Sequence, residues 1–335
     1  MTLSPGIAAG QITIAVTVYN RRQYVRQAIV SALNQTVPAR VIVVEDCGPD
    51  TTLQEFVKHE FGDQVEYFRN PRRRGLFGNW NACMEYCRTP WLSILHDDDY
   101  LAPGFVEAML ALHREVPGCG LYFGKFTVVN KQGQVLPEWE RPPLPAPWLN
   151  VSLPDVLFVT PFAFAGQLFR VECAQALGGF RATSQYCGDW EMWSKLIAHY
   201  GAARTRENVA FTRSHAGPER ETNKVHQAGK VFGLTFVQRK RILALLRQRG
   251  TPALFDRRAD QSKCPLPIML LVEYGADMSR RLLSYNVGLM LISQPPHWRY
   301  ALFQSLVRVL GTSFVRLVSQ TRNRVHRMGG RVLRV

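Results

Sequence analysis

Long hydrophobic runs are missing from this 335-residue chain. Its most apolar windows, around residues 266–272 and 282–292, are too short or too interrupted for a bilayer, which needs about 20 consecutive apolar residues. The first ten residues offer neither a positive n-region nor an apolar core, so no secretory signal is expected. Paired cysteines are missing too. The seven (47, 83, 87, 119, 173, 187 and 264) form no CxxC and no metal-ligand spacing. Cys83 and Cys87 fall one helical turn apart, as two small buried residues would. An odd count without a framework points to a reducing compartment. No loop ending in GK[ST] follows a strand, which argues against an ATPase. Glycine and proline, 25 and 20, are ordinary, which excludes low complexity.

Acids are scarce in one region only. From Arg239 onward there are 18 Lys and Arg against Asp256, Asp260, Glu273 and Asp277; the preceding 238 residues hold 23 basic and 22 acidic residues. The overall formal charge of +15 therefore belongs to the tail. There, Arg299, Arg308 and Arg316 lie among Phe303, Leu306, Leu310 and Phe314, with Trp298 and Tyr300 as interfacial anchors. Charge with apolar bulk fits a helix lying on an anionic membrane surface. A solvated helical face or a docking surface for an acidic partner competes with that reading. Nucleic acid is not expected, because no binding motif accompanies the charge.

The N-terminal third alternates strands and helices. Strands are expected at 12–18, 41–44, 65–68 and 91–95, with a helix from about 21 to 34 that puts Tyr24, Ala28, Ser31 and Ala32 on one face. Thr51 or Thr52 is expected to cap a second helix. Such alternation implies a mostly parallel, doubly wound sheet. Further on, a strand at 121–129 enters a turn at 130–134, a Pro-rich loop covers 137–147, and a helix near 190–200 precedes a strand at 204–212. Helices dominate beyond about 221. Two domains are expected, 1–225 and a mainly helical, basic 226–335.

The acids Asp97, Asp98 and Asp99 follow the apolar run Trp91-Leu92-Ser93-Ile94-Leu95, at the carboxyl end of a strand, where open α/β sheets place ligands. Three adjacent like charges are best tolerated around a cation, and carboxylates are hard ligands suited to Mg²⁺ or Mn²⁺. A solvated acidic turn before a helix begun by Pro103 is the simpler alternative. Read with Val16-Thr17-Val18-Tyr19-Asn20-Arg21, Val43-Val44-Glu45-Asp46-Cys47-Gly48, Gly75-Leu76-Phe77-Gly78-Asn79-Trp80-Asn81, Gly178-Gly179-Phe180 and Gly188-Asp189-Trp190-Glu191, the order and spacing resemble a family 2 glycosyltransferase of the GT-A fold over about 11–216. Glu45, His96 and Gly188 depart from the acids commoner at those positions.

That resemblance implies a Rossmann-like, doubly wound mixed α/β sheet with a C-terminal helical extension. It implies transfer of a sugar from a nucleotide-diphosphate donor to a hydroxyl, with inversion. Thr17, Tyr19, Asp46, Asn79, Asn81, Asp97 and Arg213 would line the nucleotide-sugar site. Tyr19 would offer a ring face and Asp46 an acceptor for the N3–H of uracil or thymine, so UDP comes first and dTDP next. Asp98, Asp99 and His215 would serve the metal, Mg²⁺ or Mn²⁺. Asp189 would be the general base, with Glu191 in reserve and helix capping as the competing role. The acceptor would be a saccharide or a lipid-linked one, on the cytoplasmic face of the cell membrane. A sugar nucleotidyltransferase would carry a Gly-rich basic loop after the first strand, where Thr17-Val18-Tyr19-Asn20-Arg21-Arg22 stands instead. A non-catalytic binding module of this fold is the other alternative.

Overall fold

The computed structural model describes residues 7, 8, 10–137, 146–156 and 162–214, with single positions between 238 and 248. The chain divides into two units, Met1–His215 and Ala216–Val335, and every element named here belongs to the first. His215 and the basic tail lie outside the described residues.

β1 (Ile12–Val18) is buried along its whole length, as expected of a β-branched run covered on both faces. It pairs in parallel with β2 (Arg40–Glu45) on one side and β4 (Trp91–His96) on the other, and β2 pairs in parallel with β3 (Val65–Arg69). The helices α1 (Arg22–Leu33), α2 (Leu53–Phe61) and α3 (Gly75–Tyr86) make the crossovers. α1 buries Val25, Ala28, Ile29 and Ala32, so the apolar stripe passes through Ala28 and Ala32 while Tyr24 and Ser31 sit at its margin. Neither Thr51 nor Thr52 supplies a side-chain cap to α2. Instead Asp50 accepts the Thr52 N–H at 2.9 Å and its hydroxyl at 2.6 Å. Pro103 does not open a helix: α4 (Phe105–Glu115) starts two residues later.

The second half is mixed. β5 (Tyr100–Leu101), β6 (Leu121–Val129), β7 (Trp148–Val151), β8 (Gln167–Arg170) and β9 (Ala202–Arg213) complete a nine-stranded sheet ordered β3-β2-β1-β4-β8-β6-β9-β5, with β7 also on β9. β8 runs antiparallel to both β4 and β6. The expected turn after β6 forms: Gly133 adopts φ +84° and the Asn130 N–H reaches the Gln134 carbonyl at 2.8 Å. α5 (Val171–Ala176) and α6 (Gly188–Tyr200) pack on this half. The expected mixed, doubly wound α/β fold is the one found.

What matters for function is the carboxyl edge. Register sets Val18 opposite Glu45, Glu45 opposite Arg69, and Thr17 opposite His96. The connection after β1 leads toward β2, whereas β4 lies on its other side, so the strand order reverses here. Ligands of open α/β sheets bind in the crevice at such a switch point.

Candidate active site

Five segments meet at this edge. After β1 the chain presents Tyr19 and Arg21. After β2 it turns sharply through Glu45–Gly48, with Cys47 at φ +49°. A Cβ on Gly48 would come within 1.9 Å of the Tyr19 carbonyl oxygen, so only glycine lets these two turns touch. Buried Glu45 fixes the turn from below: it accepts the Gly48 N–H at 2.8 Å and is bonded by Tyr67 and Arg69. Burial, then the hydrogen bond to Glu45, push the Tyr67 phenol far above its usual range.

Asp46 is buried and tied to the segment before α3. Oδ1 accepts Asn70 Nδ2 at 3.1 Å and the Arg74 N–H at 2.7 Å, and Oδ2 accepts the Gly75 N–H at 2.8 Å. A carboxylate has about four acceptor positions, so three are spent on orientation and one on Oδ2 is left. Asn70, which the sequence did not single out, also donates to Asn79 Oδ1 at 2.9 Å. Asn79 in turn donates to the Val44 carbonyl at 3.2 Å. Asn81 clamps the Phe180 backbone in both directions, at 2.9 Å each. Gly179 permits this at φ +66°, since a Cβ there would meet Asn81 Oδ1 at 2.8 Å. Both asparagines thus bond residues of neighbouring segments, and neither acts as a helix cap. Over the crevice, the Arg73 guanidinium lies 4.2 Å from the Tyr19 ring centroid. The Thr17 hydroxyl donates to the Leu95 carbonyl at 3.3 Å.

The acid turn is buried and held by two arginines. Arg21 lies 2.6 Å from Asp97 Oδ1 and pairs with Asp98. Burial pushes Asp97 up to about 7; Arg21 opposes that and Asp98 reinforces it. Arg213 is only 3% exposed. Its guanidinium donates to the Asp98 carbonyl at 3.1 Å, to the Asn130 and Lys131 carbonyls at 3.0 and 2.6 Å, and to Gln27 Oε1 at 2.6 Å. Its backbone N–H donates to Asp99 Oδ1 at 2.8 Å. Arg213, expected at the donor, is thus engaged mainly within the protein. Four of its five donors knit β9, the 130–134 turn and α1 to the acid turn.

Ligand-bearing atoms of His96, Asp98 and Asp99 lie within 4.8 Å of one another. Together with the cation Arg21 already placed against Asp98, this donor set fits a divalent ion. Asp97, turned onto Arg21, is not part of it. His96 was noted in the sequence only as a departure.

Asp189 stands in the first turn of α6, partly buried, and accepts the Trp190 N–H at 2.7 Å. Burial pushes its carboxyl up to about 6, against the lowering effect of the backbone hydrogen bonds. Glu191, expected in reserve as a base, is committed to structural contacts. It is 3% exposed and bonded by Arg181, Ser184 and, at 2.7 Å, by Lys195 Nζ. It anchors residues 181–187 on α6. Gly188 is explained by Phe77, whose ring lies 2.0 Å from where a Cβ would stand. Phe77 edges onto Trp80 at 5.1 Å, and Trp80 stacks against His96 at 5.6 Å, so an aromatic chain joins the start of α6 to the acid turn.

A family model described as Glycosyl transferase family 2 matches residues 13–170, from β1 through the acid turn to β8. Residues 13–170 belong to glycosyltransferase family 2. An uncharacterized glycosyltransferase of Rickettsia bellii (strain RML369-C) is 24% identical over 279 residues, 81% of this chain and 40% of the relative. The chondroitin synthase of Escherichia coli is 21% identical over 64% of this chain and 30% of its own length. The chain thus spans well under half of these curated relatives. Among solved structures, the family 2 fold here is similar to S. aureus TarS 1-349, with a TM-score of 0.59 at 15% identity, covering 97% of this chain and 93% of that one. TarS 1-349 in complex with UDP-GlcNAc gives 0.58 at 15% identity, covering 94% and 92%. At such identity the likeness concerns the GT-A fold.

Proposed function

We propose that this family 2 domain transfers a sugar, with inversion, from a nucleotide-diphosphate donor to a hydroxyl of a saccharide or lipid-linked acceptor. The observation that carries the reading is the buried acid turn at the switch point, joined to the head of α6 by the rings of His96, Trp80 and Phe77. Tyr19 offers its ring face to the base, in the place where Arg73 stacks, and Asp46 keeps one acceptor for a pyrimidine N3–H. UDP is the first candidate and dTDP the second; the UDP-GlcNAc complex of TarS supports that order. Asp98 and Asp99 would hold Mg²⁺ or Mn²⁺, which when bound neutralises charge developing on the diphosphate leaving group. Asp97 takes the ribose side through its hold on Arg21, and Thr17 backs it from β1.

Asp189 removes the acceptor proton. At about 6 its pKa leaves it mostly ionised at neutral pH, yet basic enough to take a proton in the transition state. Its attachment to the Trp190 N–H fixes its direction. The enzyme would work peripherally on the cytoplasmic face of the membrane; no helix among the described residues is long and apolar enough to cross one.

The test is a panel of nucleotide sugars offered with Mn²⁺, with nucleoside diphosphate release and glycoside formation both measured. Turnover of a UDP-sugar supports the reading. Pyrophosphate release from a nucleoside triphosphate without glycoside formation overturns it.

A further inference from the structure

We infer that His96 supplies an imidazole nitrogen to the metal site, so that the site favours Mn²⁺ over Mg²⁺. The inference rests on the metal reading just proposed and goes beyond it by adding a nitrogen from β4 to the carboxylates of the acid turn.

The argument begins with position. His96 is the last residue of β4, paired in register with Thr17 of β1, so the most regular part of the sheet fixes its backbone. Its ring is fixed as well. It lies face to face with Phe164 at 4.3 Å and 9°, and against Trp80 at 5.6 Å and 16°. A ring stacked in this way has its edge, which carries the nitrogens, as the part left to face neighbours. The structure sets a ring nitrogen within 4.8 Å of carboxylate oxygens of both Asp98 and Asp99, a separation that one ion can bridge. The turn geometry holds the three together, because the Asp99 N–H returns to the His96 carbonyl at 3.2 Å. Arg213 holds the Asp98 backbone carbonyl and an Asp99 carboxylate oxygen, and Arg21 pairs with the Asp98 carboxylate. A preoriented ring and two preoriented carboxylates make a nitrogen–oxygen–oxygen set.

The competing role for His96 is aromatic packing alone. Stacking explains the ring plane but not the convergence of its nitrogen with two acids, which an apolar ring at the same place would lack. Chemistry then decides the ion. Mn²⁺ is the weakest of the first-row dications at nitrogen-containing sites, but it tolerates an imidazole in its shell better than Mg²⁺, which demands a near-ideal octahedron of oxygens and keeps its waters.

The experiment uses the full chain and the metals alone. Mn²⁺ and Mg²⁺ are titrated by calorimetry into the wild type, His96→Asp and His96→Gln. Electron spin-echo modulation from a coordinated ¹⁴N is recorded on the Mn²⁺ forms. Expected are Mn²⁺ binding at least about tenfold tighter than Mg²⁺, ¹⁴N modulation in the wild type, and its loss in His96→Asp with a narrower Mn²⁺/Mg²⁺ ratio. His96→Gln, which keeps the residue neutral, serves if the aspartate disturbs folding, as judged by circular dichroism. Mn²⁺ bound without ¹⁴N modulation, or modulation as deep in the variants as in the wild type, overturns the role of His96 while leaving the metal reading intact; a shallower remainder is what His215 alone would give. No Mn²⁺ binding by the wild type overturns both.

Discussion

As the proposed base, Asp189 would trade stability for chemistry. Its carboxyl holds a proton more tightly in the folded chain than an exposed aspartate does, because burial disfavours the charge. The sign follows directly. The group favours folding in acid, below the unfolded pKa near 3.9, and that contribution is lost as pH rises through about 6. Activity should move oppositely, falling about tenfold per pH unit below that value and levelling above it. Asp189→Asn should leave donor affinity nearly unchanged and lower kcat about 10²–10⁴-fold. It should also melt higher than wild type at pH 8. A kcat loss under tenfold, or an unchanged acid limb, would remove the assigned role. Arg21 offers a second residue-scale test. It neutralises Asp97 and Asp98, so Arg21→Ala leaves buried acids uncompensated, at a cost on the order of 3–5 kcal/mol. Thermal melting should show a marked fall without metal and a larger recovery with Mn²⁺ than wild type shows. Equal recovery would mean that Arg21 and the ion do not share the acids.

Among the elements, the strands were legible because β1, β2 and β4 are buried runs whose β-branched and apolar residues have no helical period. The acid turn was legible for the same reason: its charge stands out against the strand before it. Side-chain roles that depend on a distant partner were not. Nothing local says that Arg213 spends its guanidinium on Asn130, Lys131 and Gln27, or that Glu191 is held by Arg181 and Lys195. The same holds for Gly188, whose reason is Phe77, more than 100 positions away. Gly188→Glu, which would restore the acid commoner in the resembled motif, should therefore push Phe77 off Trp80 instead of improving the site. The expected result is a lower melting temperature and weaker donor binding; an unaltered melt with higher turnover would show that the ring swings aside at no cost. Gly48→Ala should be more severe, since its Cβ would strike backbone at Tyr19.

At the scale of the whole molecule the charge is the strongest signal, and it lies in the tail. Trp298 to Val318 is long enough to cross a bilayer, but Arg299, Arg308 and Arg316 divide it. An arginine near the middle of a span costs about 2.5–3.5 kcal/mol even on insertion scales. Lying flat would avoid that cost, because the arginines could reach lipid phosphates while Phe303, Leu306, Leu310 and Phe314 entered the acyl boundary. Each arginine near an anionic surface then adds roughly 1 kcal/mol, and salt screens it. A catalytic unit near charge balance joined to a tail of net positive charge is suited to an acceptor presented on such a surface. The full chain should sediment with phosphatidylserine vesicles at low salt, much less with neutral ones, and should detach at high salt. Replacing Arg299, Arg308 and Arg316 together by Gln should weaken that sedimentation by more than tenfold, since about 3 kcal/mol is removed. Turnover of a soluble acceptor should stay unchanged. Should the wild type ignore anionic vesicles, the tail is a docking surface for an acidic protein, and the acceptor reaches Asp189 from solution.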